Sequence, residues 1–336
     1  MFTMLTSHSH NSGRRFVFGL SAALGCLATL GLSAPAAAAY PEKPITVVVG
    51  WSAGGGIDTF VRTVGKHIKK HLGVGFKIIY KKGGGGSVAH NALVTKYKTD
   101  GYTIAASNVP HQTIPTQLSA KGYRLNDLQW IANLVIVPST VLVKTTAPFK
   151  TFDAMVKAAQ AAPGKLKAGS VGATSGSAAF HYSWTKLAKA KITLIPYRGG
   201  GKVLKGMLGN EIEVMSSNAN WGVRYPDKLI AVAIAAEKRY ELLPNTPTFR
   251  ELGIDYVDSL TRTFTASAKV PKDRIKVLSD AFAKLTKDPD YVTDMKKVGL
   301  VPSFMDSAAT TAYVNKYVAN NEAVFALFRE KRKKKN

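Results

Sequence analysis

Apolar residues along this chain follow two alternating periods. Ile45-Thr46-Val47-Val48-Val49 is an apolar run of strand length. It leads into a glycine-rich turn, Gly50-Trp51-Ser52-Ala53-Gly54-Gly55-Gly56-Ile57-Asp58. Beyond the turn, Phe60, Val61, Val64, Ile68 and Leu72 recur at helical spacing, with Arg62, Lys66, Lys69 and Lys70 opposite them. Asp58 stands where an N-cap is expected and Gly73 where the helix stops. A second apolar run, 76–80, ends in a second glycine turn, Gly83-Gly84-Gly85-Gly86-Ser87, and a predicted helix over 87–96. The turn at Asp100-Gly101 precedes a third strand, 102–106, which closes at Ser107-Asn108. This alternation predicts a doubly wound parallel sheet, whose ligands sit beyond the carboxyl ends of the strands.

The middle of the chain repeats the pattern. A helix is expected over 151–161, stopped by Pro163-Gly164, then a short strand over 167–169. Ser170-Val171-Gly172-Ala173-Thr174-Ser175-Gly176-Ser177 opens a helix running over 178–189. A strand at 192–195 leads to Pro196-Tyr197-Arg198-Gly199-Gly200-Gly201 and a further helix. Strands at 212–215 and 229–235 flank the polar stretch Ser216-Ser217-Asn218-Ala219-Asn220. From Pro271 onward the period is helical, with a restart at Pro289 and a last segment over 307–328. Two α/β lobes whose glycine and small-polar loops face each other form a clamshell.

The loops suggest what the clamshell holds. A strand-to-helix turn leaves unpaired N–H groups at the positive end of the helix dipole. Glycines let an anion approach that backbone. Lys and Arg number 46 against 21 Asp and Glu, a field that draws anions. The basic residues are spread along the chain, and export argues against a nucleic-acid partner; the cluster at 329–335 reads as a solvated tail.

Export is read from residues 1–39. Arg14-Arg15, an apolar stretch over 16–32 and Ala37-Ala38-Ala39 make a secretory signal peptide, with cleavage expected before Tyr40. A twin-arginine signal at Arg14-Arg15-Phe16 and a lipoprotein site at Cys26 are alternative readings of the same leader. Cys26 is the single cysteine, so a cleaved chain would hold no disulfide and no thiol chemistry.

Taken in order, the turns resemble the Bug-type (tripartite tricarboxylate) family of periplasmic solute-binding receptors. Tyr40-Pro41-Glu42-Lys43-Pro44-Ile45 resembles the family's mature N-terminus, and Ala53-Gly54-Gly55-Gly56-Ile57-Asp58 its first ligand loop. Gly83-Gly84-Gly85-Gly86-Ser87 and Asp100-Gly101-Tyr102-Thr103-Ile104 follow suit. In the second lobe the likeness lies in Pro163-Gly164-Lys165-Leu166, Gly176-Ser177, Pro196-Tyr197-Arg198-Gly199-Gly200 and Leu208-Gly209-Asn210-Glu211-Ile212. The chain departs at Gly50-Trp51-Ser52, where the family commonly has Pro-Phe-Pro, and at Tyr80-Lys81-Lys82, where it has Asn-Arg-Pro. It departs again at Ser216-Ser217-Asn218, near a common Asp, and at Phe180-His181-Tyr182, near a His-Leu pair.

The resemblance implies a two-lobed type II periplasmic-binding clamshell, each lobe a mostly parallel sheet flanked by helices. Its domains would be 40–142 plus 264–336, and 143–263, joined by two crossing segments. It also implies capture of a small carboxylate (a di- or tricarboxylic, amino or aromatic acid) by a monomer that closes on it. Delivery would be to a tripartite tricarboxylate-type membrane transporter, or the closed form would signal to a membrane sensor. The carboxylate would be held by backbone N–H groups and bridging water from the first loop and the Gly-Ser loop.

The candidate ligand contacts follow. Ser52, Ala53, Gly54, Gly55 and Gly56 form a carboxylate cradle, whereas Asp58 would repel an anion and reads as a cap. Gly85 and Ser87 serve either contact or turn. Thr174, Ser175, Gly176 and Ser177 offer hydroxyls and N–H groups at a helix start. His181 either donates to the anion or is a packed histidine. Tyr197 and Arg198 precede a glycine turn and would close on the ligand. Asn108, Asn218 and Arg262 are polar at expected strand ends or crossings, and Trp51 and Trp221 either wall an aromatic ligand or are half-buried turn residues. No cofactor, metal site or enzyme is expected. His67 and His71 lack the glutamate of a zinc protease motif, since Ile68 stands there. Ala168-Gly169-Ser170-Val171-Gly172 resembles a nucleophile elbow, but no histidine follows His181 to serve Ser170 as a hydrolase.

Overall fold

The computed structural model describes residues 40–118 and 122–333. The leader reading, and part of the basic tail, lie outside the described residues. Ten strands are formed among them: β1 (Ile45–Val49), β2 (Phe76–Tyr80), β3 (Thr103–Val109), β4 (Leu128–Lys144), β5 (Lys167–Val171), β6 (Thr193–Tyr197), β7 (Val214–Asn218), β8 (Leu229–Ile234), β9 (Ser259–Ser267) and β10 (Pro302–Met305).

The β2-β1-β3 and β6-β5-β7 groups are parallel, each interleaved with helices as the periodicity requires. Two long strands lie between these groups. β9 runs antiparallel to β3 on one side and to β4 on the other. β4 pairs with β9 from Leu128 to Pro138, then with β7 and β8 from Ser139 to Lys144. The fold is mixed α/β, with helices covering the sheets. Neither crossing strand shows a period-2 pattern, because both faces of each are buried; β4 exposes almost nothing over its 17 residues.

Burial divides into two main cores. Val47, Phe60, Val64, Phe264 and Phe282 belong to the first, where Phe264 stacks on Phe282 with ring centroids 4.7 Å apart. Leu142, Phe152, Trp184, Met215 and Phe249 belong to the second. Such aromatic clusters bury large apolar areas, each ring contributing on the order of 1.5–3 kcal/mol.

Three local expectations change. The first helix spans Gly56–His67 and is capped by Gly55, so Asp58 lies at its third position. From there its Oδ2 accepts the Gly54 N–H at 2.8 Å, its Oδ1 the Tyr80 hydroxyl at 2.5 Å, and Arg62 pairs with it at 3.0 Å. Burial raises the pKa of this carboxyl, but those three donors outweigh burial and hold it below the ordinary range. Second, the last helical segment is two helices, Ser307–Asn320 and Glu322–Lys333, divided at Asn321. Third, β7 begins two residues later than expected and carries its strand through Ser216, Ser217 and Asn218.

Candidate functional site

The β1 turn, the C-terminal end of β3, the β6 turn and the crossing strand β9 surround one cavity of about 400 Å³. From the first group come Trp51 and Ser52 through Ile57, Asn108 and His111, and from the crossing strand β9 comes Arg262. From the second come Ser177, Arg198, Gly199 to Lys202, Lys205, Ser217, Asn218, Trp221 and Tyr225. Of the expected contacts, Ser52, Ala53, Gly54, Gly55, Gly56, Asn108, Ser177, Arg198, Asn218 and Arg262 are brought together here.

The β1 turn presents the start of helix Gly56–His67. Thr59 N–H is the first to bond within it, to the Gly55 carbonyl at 3.0 Å, so the N–H groups of 56–58 have no intrahelical acceptor. Gly54 has φ +76°, the left-handed conformation that favours glycine. Its own N–H is directed to Asp58, which makes Asp58 the brace of the turn. Arg262 lies directly behind. A side chain at Gly56 would come within 2.7 Å of the Arg262 Nη2, so the guanidinium is seated against the helix start.

Arg262 is 3% exposed, and its Nη1 donates to Asn108 Oδ1 at 3.1 Å across the β3–β9 pair. Its Nε has no partner among the described residues. Burial first, and then repulsion by Arg224, draw its pKa down to about 9, with Tyr240 opposing in part. His111 is 6% exposed with Nδ1 unpartnered, and burial, assisted by Arg262, draws its pKa down to about 4. It is therefore a neutral imidazole at physiological pH. Trp51 meets it edge-on at 6.1 Å.

The other expected contacts lie elsewhere. Gly85, Ser87, Thr174 and Ser175 line a second cavity of about 730 Å³, with Lys81, Lys96 and Tyr123, which shares Val171 with the first. Ser87 donates to the Gly84 carbonyl at 2.8 Å, and Ser175 caps helix Gly176–Leu187 through the Ala178 N–H at 3.3 Å. Gly176 lines neither cavity; a side chain there would meet Pro110 Cγ at 2.6 Å, and the two groups of loops touch at this point. His181 is in the second core, with Nδ1 3.1 Å from Ser216 Oγ and Nε2 3.2 Å from the Ile192 carbonyl. Tyr197 also turns away, its hydroxyl donating to Glu211 at 2.9 Å. Ser170 is fully buried and donates to the Gly172 carbonyl at 2.9 Å.

Lys202, Lys205, His111 and Tyr225 line the cavity and were not anticipated. The lysines had a legible signal: they follow Arg198 at near-helical spacing, on helix Gly200–Leu208, directly after a glycine turn. His111 had none, since its position depends on the turn after β3.

Two α/β groups strung on paired crossing strands, with a cationic crevice between their loops, define a solute-binding clamshell. This chain belongs to the tripartite tricarboxylate transporter family receptors, whose family model matches residues 60–327. It is therefore a solute-binding protein of that type. It is 28% identical over 319 residues to the "UPF0065 protein in gbd 5'region" of Cupriavidus necator, covering 93% of this chain and 96% of the relative. Among solved structures it is similar to MatC of Rhodopseudomonas palustris with bound malate (TM-score 0.77, 22% identity, 85% of this chain and 100% of the other). It is likewise similar to an R. palustris protein with adipate (TM-score 0.79, 21% identity, 85% and 97%). At these identities the two structures show the shared fold.

Proposed function

We propose that this receptor captures a small carboxylate in the periplasm by closing its two lobes, and delivers it to a membrane transporter of the tripartite tricarboxylate type. One observation carries the reading. The cavity is lined by Arg198, Lys202, Lys205 and Arg262 and, among the described residues, by no aspartate or glutamate. Malate and adipate in the related folds are acids of the same kind. The periplasmic setting rests on the leader motif and on the family.

Magnitudes favour closure. A micromolar ligand needs about −8 kcal/mol. A helix terminus supplies up to ~2 kcal/mol, and a hydrogen bond to a charged group roughly 1.5–3. Three free N–H groups at the β1 turn reach that figure only before the roughly 4–15 kcal/mol that association itself costs, so donors from the β6 side must add to it, with water excluded. The lobes we propose are 40–142 plus 264–336, and 143–263. They hinge along β4 and β9, the strands that cross between the two groups, with β4 changing partners at Pro138-Ser139.

The test is a thermal-shift screen of the purified protein against malate, adipate, citrate and benzoate, with small-angle scattering on the best binder. A carboxylate that raises the melting temperature and reduces the radius of gyration is expected. Silence across the acids, or binding without compaction, overturns the reading.

A further inference from the structure

We infer that the last helix, Glu322–Lys333, is a clasp between the two lobes, and that Phe325 and Phe328 are positioning residues that set how readily the crevice closes. This rests on the lobe-closure reading above and names the device that biases it.

The clasp is rooted in the first lobe. Helix Ser307–Asn320, which precedes it, is tied to β4: Ser307 Oγ donates to the Trp130 carbonyl at 2.6 Å, and the Thr310 hydroxyl accepts the Asn133 N–H at 2.9 Å. Val314 of the same helix is buried with Val109 and Trp130. The chain breaks at Asn321, and the last helix then reaches both lobes.

Phe325 and Phe328 are fully buried in one apolar cluster with Ile114 from the first lobe and Ala178 and Ala179 from the second. Ile114 belongs to the short helix Thr113–Leu118, which follows closely on His111 of the crevice. Ala178 and Ala179 lie in the first turn of helix Gly176–Leu187, directly after Ser177 of the crevice. The two rings thus join the elements that carry the crevice walls. Phe328 also meets Tyr182 of the second lobe, with ring centroids 6.3 Å apart. The next residue, Arg329, donates through Nη1 to the Gln117 carbonyl of the first lobe at 3.2 Å.

Rotation of the lobes about β4 and β9 separates helix Gly176–Leu187 from helix Thr113–Leu118. Because the rings pack on both, opening uncovers them on one side or the other, whichever lobe the last helix follows. The apolar area of one phenylalanine shifts an equilibrium by roughly ten- to a hundredfold. The clasp therefore biases the free protein toward closure, and a solute gains in affinity by the factor that the closed form gains in population.

Small-angle scattering without solute, and calorimetric titration with malate and adipate, test this on the wild type and on Phe328→Ala, Tyr182→Ala and Phe328→Leu. The two alanine variants cut one contact from opposite lobes. Each is expected to raise the solute-free radius of gyration and to weaken the acid that binds by roughly tenfold. Phe328→Leu, which keeps most of the apolar volume, should restore both. Melting curves identify a variant that fails to fold. Hydrogen exchange on the wild type needs no variant: exchange over 322–333 should slow when the acid binds, and unchanged exchange overturns the clasp. Variants that lose stability but keep the wild-type radius of gyration and affinity also overturn it, and lobe closure still stands. If neither acid binds, the carboxylate reading falls, while the solute-free scattering still decides the clasp.

Discussion

At the scale of the residue, Arg262 is buried and only partly satisfied. A guanidinium withdrawn from water, repelled by Arg224 and with Nε unpartnered, destabilises the ligand-free fold. The same features make it a strong counter-ion for an acid entering the cavity. Arg262→Met should therefore move two measurements in opposite directions. Removing the buried charge is expected to stabilise the ligand-free protein by about 1–3 kcal/mol in denaturant melts. The acid it binds should lose roughly tenfold or more in affinity by titration. A less stable variant with unchanged affinity would make Arg262 a structural residue held by Asn108, outside the ligand's reach.

At the scale of the element, the two glycine turns are one construction. A side chain on Gly50 would lie 2.7 Å from Gly86 Cα, which is backbone and cannot swing aside. One on Gly86, at φ +98°, would lie 2.6 Å from Trp51. The second turn is thus the bed on which the first turn and its indole rest. Gly50→Ala should cost about 1–3 kcal/mol of stability in chemical denaturation. A cost below about 0.5 kcal/mol, the size of an ordinary surface change, would mean the turns are not in contact.

This shared packing also marks what the sequence could disclose. Strand and helix positions were legible because apolar runs and helical spacing follow directly from which face is buried. So was the assembly of Gly54, Gly56, Asn108 and Arg198 around one crevice, since parallel strands deliver their C-terminal ends to one side, whereas Arg262 reaches it from within the antiparallel strand β9. A glycine needed by a neighbour, however, looks identical to one needed by a ligand: a side chain on Gly86 would meet Trp51, while Gly85 lines the second cavity and not the candidate site. His181 shows the same limit: the Ser216 hydroxyl and Ile192 carbonyl that satisfy it come from other elements. The strand character of β4 and β9 was hidden because full burial erases alternation. Asp58 was misplaced by one helical turn because an acid at the third helical position and one at the cap serve the same dipole.

At the scale of the whole molecule, stability should depend on pH through groups buried in opposing senses. His90 is fully buried, between the Gly86 carbonyl at 3.0 Å and Ser107 Oγ at 2.6 Å, and burial lowers its pKa from 6.5 to about 4 despite the Gly86 bond. His111 is lowered equally. A histidine of this kind binds fewer protons folded than unfolded, so its contribution is intact above 6.5 and is lost as pH falls toward 4. The full shift corresponds to about 3 kcal/mol for each. Asp258 acts in reverse. Burial raises its pKa from 3.8 to about 6, against the opposing bonds from Ser139 and Ser259, so its stabilising contribution is present at low pH and fades as pH rises through that window. Two histidines outweigh one aspartate, and the melting temperature should fall between pH 7 and pH 4.5. Asp258→Asn should steepen that fall by removing the counterweight, and His90→Gln should flatten it. Scanning calorimetry of the three proteins across the range checks the assignment; parallel curves would mean that neither group titrates on unfolding.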